Sequence, residues 1–404
     1  MKMQKAQLGE ICEVTDGTHY TPPNTGGPFP FLTVKDMTEQ GLSFSGCSYV
    51  SAVEFERAKK VGACPEPGVV LFSKDGTVGK VHVVRNERPF AALSSIAILR
   101  PDKSRVDSNF LGFALGNPAI LRDAVNRKTG SALQRIILAD LKEVDIPLPS
   151  LSEQQRIANQ LEQADRLCRT RRYSLELSDT FLPAAFLELF GNPVTNSKDL
   201  PIAELGDFLS FITSGSRGWA EYYAPRGSRF IRSLDVRMNS VSDEDAVFVN
   251  PPHGAEADRT RVKAGDVLLT ITGSQIGRIA PVSHRLEGGF ISQHVAILRL
   301  KAGLLPEFLS MYLSLDAGGQ REIARLQYGQ TKPGLNLEQI REFRIPVPPE
   351  PAQQSFVRLL ERVERFRAAQ GEALRQAEHL FQSLLHSAFA DPGTDHAKPT
   401  AVGV

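Results

Sequence analysis

Two short apolar runs, Gly68-Val69-Val70-Leu71-Phe72 and Gly265-Asp266-Val267-Leu268-Leu269, stand at corresponding places in the two halves of the chain. They belong to a succession of brief β-prone stretches broken by Gly, Pro and Asn. That pattern predicts a mixed, strand-rich globular domain of about 145 residues in each half. After Pro149 the period changes. Apolar residues recur at close to four-three spacing through Ile157, Leu161, Ala164, Cys168, Leu175, Leu182, Ala185 and Leu189, which is the seam of a long helix. Shifted by 199 positions, the seam reads Phe356, Leu360, Val363, Arg367, Leu374, Phe381, Leu384 and Ala388, with Arg367 its one charged member.

Ser152 is placed to cap the first helix and Glu153 sits early in its first turn, both favourable at a helix N-terminus. Pro183 predicts a kink or local break toward its end. Both helical segments close alike, at Phe190-Gly191-Asn192-Pro193 and Phe389-Ala390-Asp391-Pro392. A helix of about 38 residues spans about 57 Å, longer than a compact domain needs, so the two seams are expected to pack on each other and hold the globular parts apart.

The repeat extends through the whole chain, and a repeat decides the fold. Ile146-Pro147-Leu148-Pro149 with Gln154-Gln155 returns 199 residues later as Ile345-Pro346-Val347-Pro348 with Gln353-Gln354. Ala97-Ile98-Leu99-Arg100 returns as Ala296-Ile297-Leu298-Arg299 at the same displacement. Leu8-Gly9-Glu10 matches Leu205-Gly206-Asp207, and Gly76-Thr77-Val78-Gly79-Lys80 matches Gly273-Ser274-Gln275-Ile276-Gly277-Arg278 with one insertion. The expected architecture is α+β with internal pseudo-symmetry. Globular domains over 1–149 and 193–348 are each followed by a long helix, over 150–192 and 349–392, and a polar tail at 393–404 is expected to be disordered.

Length and composition narrow the function. A chain of 404 residues with 41% hydrophobic content fills two or three domains. No stretch approaches the roughly 20 apolar residues of a membrane span, and the start lacks a signal peptide's apolar run, so a soluble cytoplasmic protein is expected. Cys12, Cys47, Cys64 and Cys168 form no Cys-x-x-Cys pair and read as reduced packing residues, with no metal site. Charge is balanced, 47 Lys+Arg against 46 Asp+Glu, so any nucleic-acid surface must be local. Local excesses exist at Arg122, Arg127, Lys128 and Arg135, and at Arg217, Arg226, Arg229, Arg232 and Arg237. Either group is also compatible with an ordinary solvated face.

Candidate DNA-contacting residues lie in the polar loops. Ser73, Lys74 and Thr77 with Lys80, and Thr272, Ser274 and Gln275 with Arg278, occupy paired Gly-containing turns. These read equally as plain hairpins or as loops supplying hydrogen bonds to DNA. Arg127, Lys128, Ser131 and Gln134, and Gln330 with Lys332, precede the two junctions and suit phosphate contact. The loops Asp16-Gly17-Thr18-His19-Tyr20 and Arg217-Gly218-Trp219-Ala220-Glu221-Tyr222-Tyr223 differ strongly between the halves, as two domains reading different sequences require. Lys35, Arg217, Trp219 and Arg232 complete the candidates, although an aromatic loop also packs on its own domain. Arg166, Arg169, Arg171 and Arg172 form a basic group on the first helix.

A globular domain, a long helix, a second domain and a second helix, with Ile-Pro-x-Pro and Gln-Gln at each junction, resembles the specificity subunits of type I restriction-modification systems. The resemblance covers residues 1 to about 392. It implies a subunit with no catalytic centre and no cofactor, whose two target-recognition domains each read half of a split site in double-stranded DNA. It further implies that the helices form a spacer and docking surface for two adenine methyltransferase subunits, to which restriction (helicase-nuclease) subunits add.

Other readings fit less of the chain. Asn250-Pro251-Pro252-His253 resembles the adenine-methyltransferase Asn-Pro-Pro-aromatic motif. Histidine replaces the aromatic residue, and no early Gly-x-Gly turn is present to bind a methyl donor. Gly76-Thr77-Val78-Gly79-Lys80 is too short for a P-loop. A helical scaffold gives no reason for two divergent globular domains. The recognition subunit of a type II-like enzyme remains a related alternative.

Overall fold

The computed structural model describes residues 4–85, 87–126, 135–327 and 334–389. The chain divides into two compact units, one within 1–173 and 371–404, the other within 174–370. The basic segment before the first junction, Arg127, Lys128, Ser131 and Gln134, its counterpart Gln330 and Lys332, and the tail 393–404 lie outside the described residues.

The first unit is centred on a four-stranded antiparallel sheet of β1 (Cys12–Asp16), β2 (Val70–Ser73), β3 (Val81–Val83) and β4 (Ile96–Pro101), in the order β1-β4-β2-β3. Val70, Phe72, Ala97 and Leu99 enter one apolar cluster, and Leu71, Ile96 and Ile98 another. Both faces are covered, which is why these strands read as unbroken apolar runs rather than alternating ones. Over one face lies a smaller sheet of Ser48–Val50, Phe29–Leu32 and Ala91–Ala92, the last pair parallel.

After α1 (Leu151–Phe190) the second unit repeats the plan. Its sheet is β5 (Leu209–Ser214), β6 (Asp266–Thr270), β7 (Ile279–Pro281) and β8 (Val295–Leu300), in the order β5-β8-β6-β7. Val267, Leu269, Ala296 and Leu298 face one cluster and Leu268, Val295 and Ile297 the other. Its smaller sheet pairs Ser228–Ile231 with Phe290–Ile291 in parallel. The repeated Ala-Ile-Leu-Arg is thus the central strand of each sheet. Its arginine is anchored in both units, Arg100 on the Thr15 hydroxyl at 2.9 Å and Arg299 on Asp266 at 2.7 Å.

Each Ile-Pro-x-Pro junction is a short strand that closes its unit on itself. Asp145–Pro147 pairs with Lys5–Gln7, and Arg344–Pro346 pairs with Ile202–Glu204. The first Gln of each Gln-Gln is fully buried. Gln154 accepts from the Asp107 N–H and donates to the carbonyls of Arg105 and Pro149. Gln353 repeats the set with Leu305, Gly303 and Pro348.

Both long helices, α1 and α2 (Glu350–Phe389), contain 40 residues. Three details depart from the sequence expectation. Ser150 rather than Ser152 takes the capping position, accepting from the Glu153 N–H at 3.4 Å, because the helix starts two residues earlier. Helix α1 runs through Pro183 without a break; the neighbouring Leu182 and Phe186 are buried in the second unit's core, and such packing outweighs one lost hydrogen bond. The seam also shifts by one residue at each helix end. Phe186 and Phe190 are buried while Leu189 is 47% exposed, and Leu385 and Phe389 replace Leu384 and Ala388 as the buried positions. The true 3.6-residue period drifts against a four-three count over this length.

Within the first unit, Ile157 and Leu161 of α1 share a cluster with Leu385 and Phe389 of α2. Phe389 meets Phe110 at 5.3 Å between centroids, and Arg172 pairs with Glu378 at 2.7 Å. Within the second, Phe186 packs against both Phe308 and Phe356 at 5.2 Å, and Arg367, the charged member of the seam, pairs with Asp179. All four cysteines are free thiols, and burial pushes Cys12 and Cys64 up to about 12. Among the described residues no helix is long and apolar enough to cross a membrane.

Candidate nucleic-acid interface

In each unit, four loops meet at one end of the main sheet: those after the first strand, after the first strand of the smaller sheet, between the second and third main-sheet strands, and before the central strand. Matched backbone hydrogen bonds fix their equivalence. Ser73 donates to the Lys80 carbonyl as Thr270 does to Arg278, at 2.9 and 2.8 Å. Lys74 donates to Ser95 at 3.0 Å as Ile271 does to His294 at 2.9 Å. Gly17 donates to Ile96 as Gly215 does to Val295. Isolated bridges join Thr18 to Leu93 and Ser216 to Ser292, and Asp75 to Arg135 and Thr272 to Gly334. His19 therefore corresponds to Arg217, Asp75 to Thr272, Ser94 to Gln293, Ser95 to His294 and Arg135 to Gly334.

Gly17 and Gly215 make the approach possible. A Cβ on Gly17 would lie 2.3 Å from the Ala92 carbonyl oxygen, and one on Gly215 2.2 Å from that of Ser292. The hairpin glycines hold left-handed backbone, φ +73° at Gly76 and +87° at Gly273, in the turns the sequence marked.

In the first unit the Lys74 side chain is only 4% exposed and lies between two carboxylates, 3.4 Å from Asp16 and 3.3 Å from Asp75. Burial pushes the Asp16 carboxyl up, with Lys74 drawing it back. Asp75, 31% exposed, also faces Arg135 at 3.5 Å. Exposed His19 lies 3.6 Å from Asp16. In the second unit Thr272 Oγ1 and His294 Nδ1 are 2.5 Å apart, and Gln293 Nε2 lies 3.0 Å from His294 Nε2. Arg217, Gln293 and His294 rim a depression of about 530 Å³ with Trp219 and Phe230 in its lining.

The candidate side chains divide clearly. Arg217, Thr77, Ser274 and Lys35 are exposed, and Thr272 and Gln275 are half-buried. Four others are used inside their domains. Ser73 is buried and accepts from the Lys80 N–H at 2.7 Å. Lys80 directs its ammonium to the Met37 carbonyl at 2.6 Å. Arg232 clasps Asp235 at 2.8 Å, an ion pair that holds the guanidinium above its usual range. Trp219, 6% exposed, stacks on Phe230 at 5.6 Å and meets Phe290 at 4.9 Å, so its ring faces its own domain. Lys74 is likewise engaged inside its domain, as is Arg229, which donates to the Phe230, Val247 and Ser242 carbonyls. Among the described residues, one buried guanidinium nitrogen of Arg278 and the buried side-chain oxygen of Gln275 have no hydrogen-bond partner.

Gln293 and His294 escaped the sequence reading. Their signal was present: Ser94-Ser95 is replaced by Gln293-His294 immediately before the repeated central strand. Asn250, in the stretch resembling a methyltransferase motif, donates its side-chain amide to the Arg226 carbonyl at 3.0 Å and its backbone N–H to the Tyr222 carbonyl at 2.9 Å, tying down a loop. Among the described residues no cluster of His, Cys, Asp and Glu could hold a metal.

Comparison with known proteins places this geometry in context. Residues 1–176 and 253–377 match the model of the type I restriction modification DNA specificity domain. The chain is 24% identical over 387 residues to the type I restriction enzyme MjaIX specificity subunit of Methanocaldococcus jannaschii, covering 88% of this chain and 85% of that protein. The putative MjaX specificity subunit of the same organism is 21% identical, with 88% and 86% covered. Among solved structures, the type I restriction-modification S subunit from M. genitalium superposes with a TM-score of 0.61 at 16% identity, covering 97% of each chain. A structure described for complex assembly and conformational transition of the type I restriction-modification system superposes with a TM-score of 0.57 at 16% identity, covering 96% of this chain and 97% of that one.

Proposed function

This chain belongs to the type I restriction-modification DNA specificity family, and from that premise we propose that each of its units reads one part of a two-part DNA site. The observation that carries the reading is the pair of matched sheet edges. Equivalent backbone bonds hold the same loops in both units, while the residues upon them differ at all five positions compared above. A shared frame with divergent polar tips is what two recognition modules require, since direct readout depends on the side chains offered to base edges.

The subunit contributes specificity and not chemistry, and its partners are double-stranded DNA and methyltransferase subunits, with restriction subunits joining through them. Because the helix seams repeat at 199 residues, two methyltransferase subunits bind in equivalent positions. The long helices set the spacing between the half-sites.

Selection from a random double-stranded DNA library by the co-expressed methyltransferase complex tests the reading, with native mass spectrometry of the same preparation. Enrichment of two short motifs at fixed separation and a two-to-one complex are expected. Enrichment of a single continuous motif, or of none, overturns the two-part reading. A fully active one-to-one complex overturns the stoichiometry.

A further inference from the structure

The two edges occupy equivalent places, yet they present different hydrogen-bonding groups. In the second unit the edge carries donors and mixed donors: the exposed Arg217 guanidinium and His294 imidazole, and the half-buried Gln293 amide. Arg217 is held from behind. Gly218, at φ +85°, turns the chain, and the next residue, Trp219, is locked among Phe230, Phe290 and Tyr222. The buried indole therefore fixes where the arginine emerges, at the rim of the depression that Gln293 and His294 share. The side-chain oxygens of Ser292 and Gln293 there are buried with no hydrogen-bond partner among the described residues.

In the first unit the matching places carry His19, Ser94 and Ser95, and Asp75 stands where the second unit has Thr272. Ser95 is engaged, its hydroxyl accepting from the Val34 N–H at 3.3 Å. Asp75 is the prominent group. Buried Lys74 and exposed Arg135 flank its carboxylate, at 3.3 and 3.5 Å, and hold it at the edge. A carboxylate only accepts; Oδ2 takes the Lys74 ammonium, and buried Oδ1 has no hydrogen-bond partner among the described residues, so the group keeps accepting capacity.

We propose, resting on the DNA-reading function above, that Arg217 with Gln293 and His294 selects guanine in one half-site, and that Asp75 selects an amino-bearing base in the other. Guanine offers O6 and N7 acceptors that match the two-pronged guanidinium. Only adenine N6 and cytosine N4 offer an amino donor to a carboxylate in the major groove. The two positions face different half-sites because they belong to different units. Lys74 and Trp219 act as positioning residues.

The test is selection of bound DNA from a random double-stranded library by the full-length chain in complex with its methyltransferase. Unaltered protein, Arg217→Lys, Arg217→Ala, Asp75→Asn and Asp75→Ala are compared. Unaltered protein is expected to enrich two motifs, one containing an invariant guanine and the other an invariant adenine or cytosine. Arg217→Ala and Arg217→Lys should each relax the guanine preference about tenfold or more and leave the other motif intact. Lysine keeps the charge and loses the fork, so relaxation by Arg217→Lys separates base reading from phosphate attraction and does not depend on how well the alanine variant folds. Asp75→Ala should relax only the amino-bearing position, and Asp75→Asn should tilt it toward adenine. If two motifs appear and these variants leave both unchanged, or alter the wrong one, the assignment is overturned while the DNA-reading function stands. If unaltered protein enriches no sequence, the function itself fails and the assignment with it.

Discussion

Gln154 donates its side-chain amide to the carbonyl of Pro149 at 2.9 Å, and Gln353 donates to that of Pro348 at 2.8 Å. Each glutamine lies five residues beyond the proline it holds and also binds the turn that precedes a helix of the globular domain. The repeated junction is thus a rivet that fixes the first turn of each long helix to its unit. Replacing Gln154 by Ala strands one N–H and two carbonyls in a buried site, each costing roughly 1–3 kcal/mol. A loss of about 3 kcal/mol is expected in urea unfolding of the first unit, and Gln353→Ala should do the same in the second. A change no larger than about 0.5 kcal/mol, the range of an ordinary surface substitution, would show that the rivet carries no load.

Gly215→Ala places a Cβ 2.2 Å from the Ser292 carbonyl oxygen, a rigid backbone contact that only a shift of the loop relieves. The Arg217 loop should move away from the sheet end. A loss of about 1–3 kcal/mol is expected, in the range of overpacking, together with DNA binding weakened at one half-site in a competition assay. Full stability with unchanged half-site preference would mean that close approach is not what positions this loop.

Lys80 has the sequence position of a phosphate contact, but its ammonium is taken by the Met37 carbonyl at 2.6 Å. Lys80→Ala should therefore lower stability by about 1.5 kcal/mol, as loss of a charged hydrogen bond does. The salt dependence of DNA binding, followed by anisotropy from low to high salt, should not change. A slope shallower by close to one unit would return Lys80 to the phosphate backbone.

The end of α1 offers a paired comparison. Phe186 is 1% exposed and touches Phe190, Phe308 and Phe356. Leu189, three residues on, is 47% exposed. Phe186→Ala should cost about 3–5 kcal/mol, as emptying an aromatic core site does, whereas Leu189→Ala should stay within about 0.5 kcal/mol. Equal costs in calorimetry would place the seam where the four-three count put it.

Exchange of residues 1–148 for the equivalent domain of a relative should change one half-site and leave the other, as read by methylome sequencing of cells carrying the complex. The donor domain must supply an aromatic residue at the Phe110 position, because Phe110 packs on Phe389 of α2 within the same unit. Simultaneous change of both half-sites would contradict independent reading.

The repeat was legible in the sequence because its marks are backbone marks. Glycines stand where the hairpins need left-handed turns, prolines where a strand must end, and Ala-Ile-Leu-Arg where a strand is buried on both faces. The seam was legible in outline, through Ile157, Leu161, Ala164, Cys168 and Leu182, all buried. It failed at Leu189 and Ala185, since a count of apolar spacing cannot tell which of two adjacent apolar residues meets Phe308 and Phe356. The candidate site was less legible for a related reason. Sequence shows that Lys74, Lys80, Arg229 and Arg232 are cationic. It does not show that the Asp16 and Asp75 carboxylates, the Met37 carbonyl, three main-chain carbonyls and Asp235 already claim them.

By itself, then, the order of residues determined two copies of one strand-rich plan, the two long helices and the junction that joins each helix to its domain. All of these follow from local periodicity and from turn chemistry, which act over a few residues. Which cations remain exposed, that Trp219 packs inward and that Gln293 and His294 stand beside Arg217 were decided only by the tertiary structure. Those facts depend on segments up to about 80 residues apart meeting at one sheet edge, and the free energy of a buried charge or aromatic ring is set by its neighbours in space rather than in sequence.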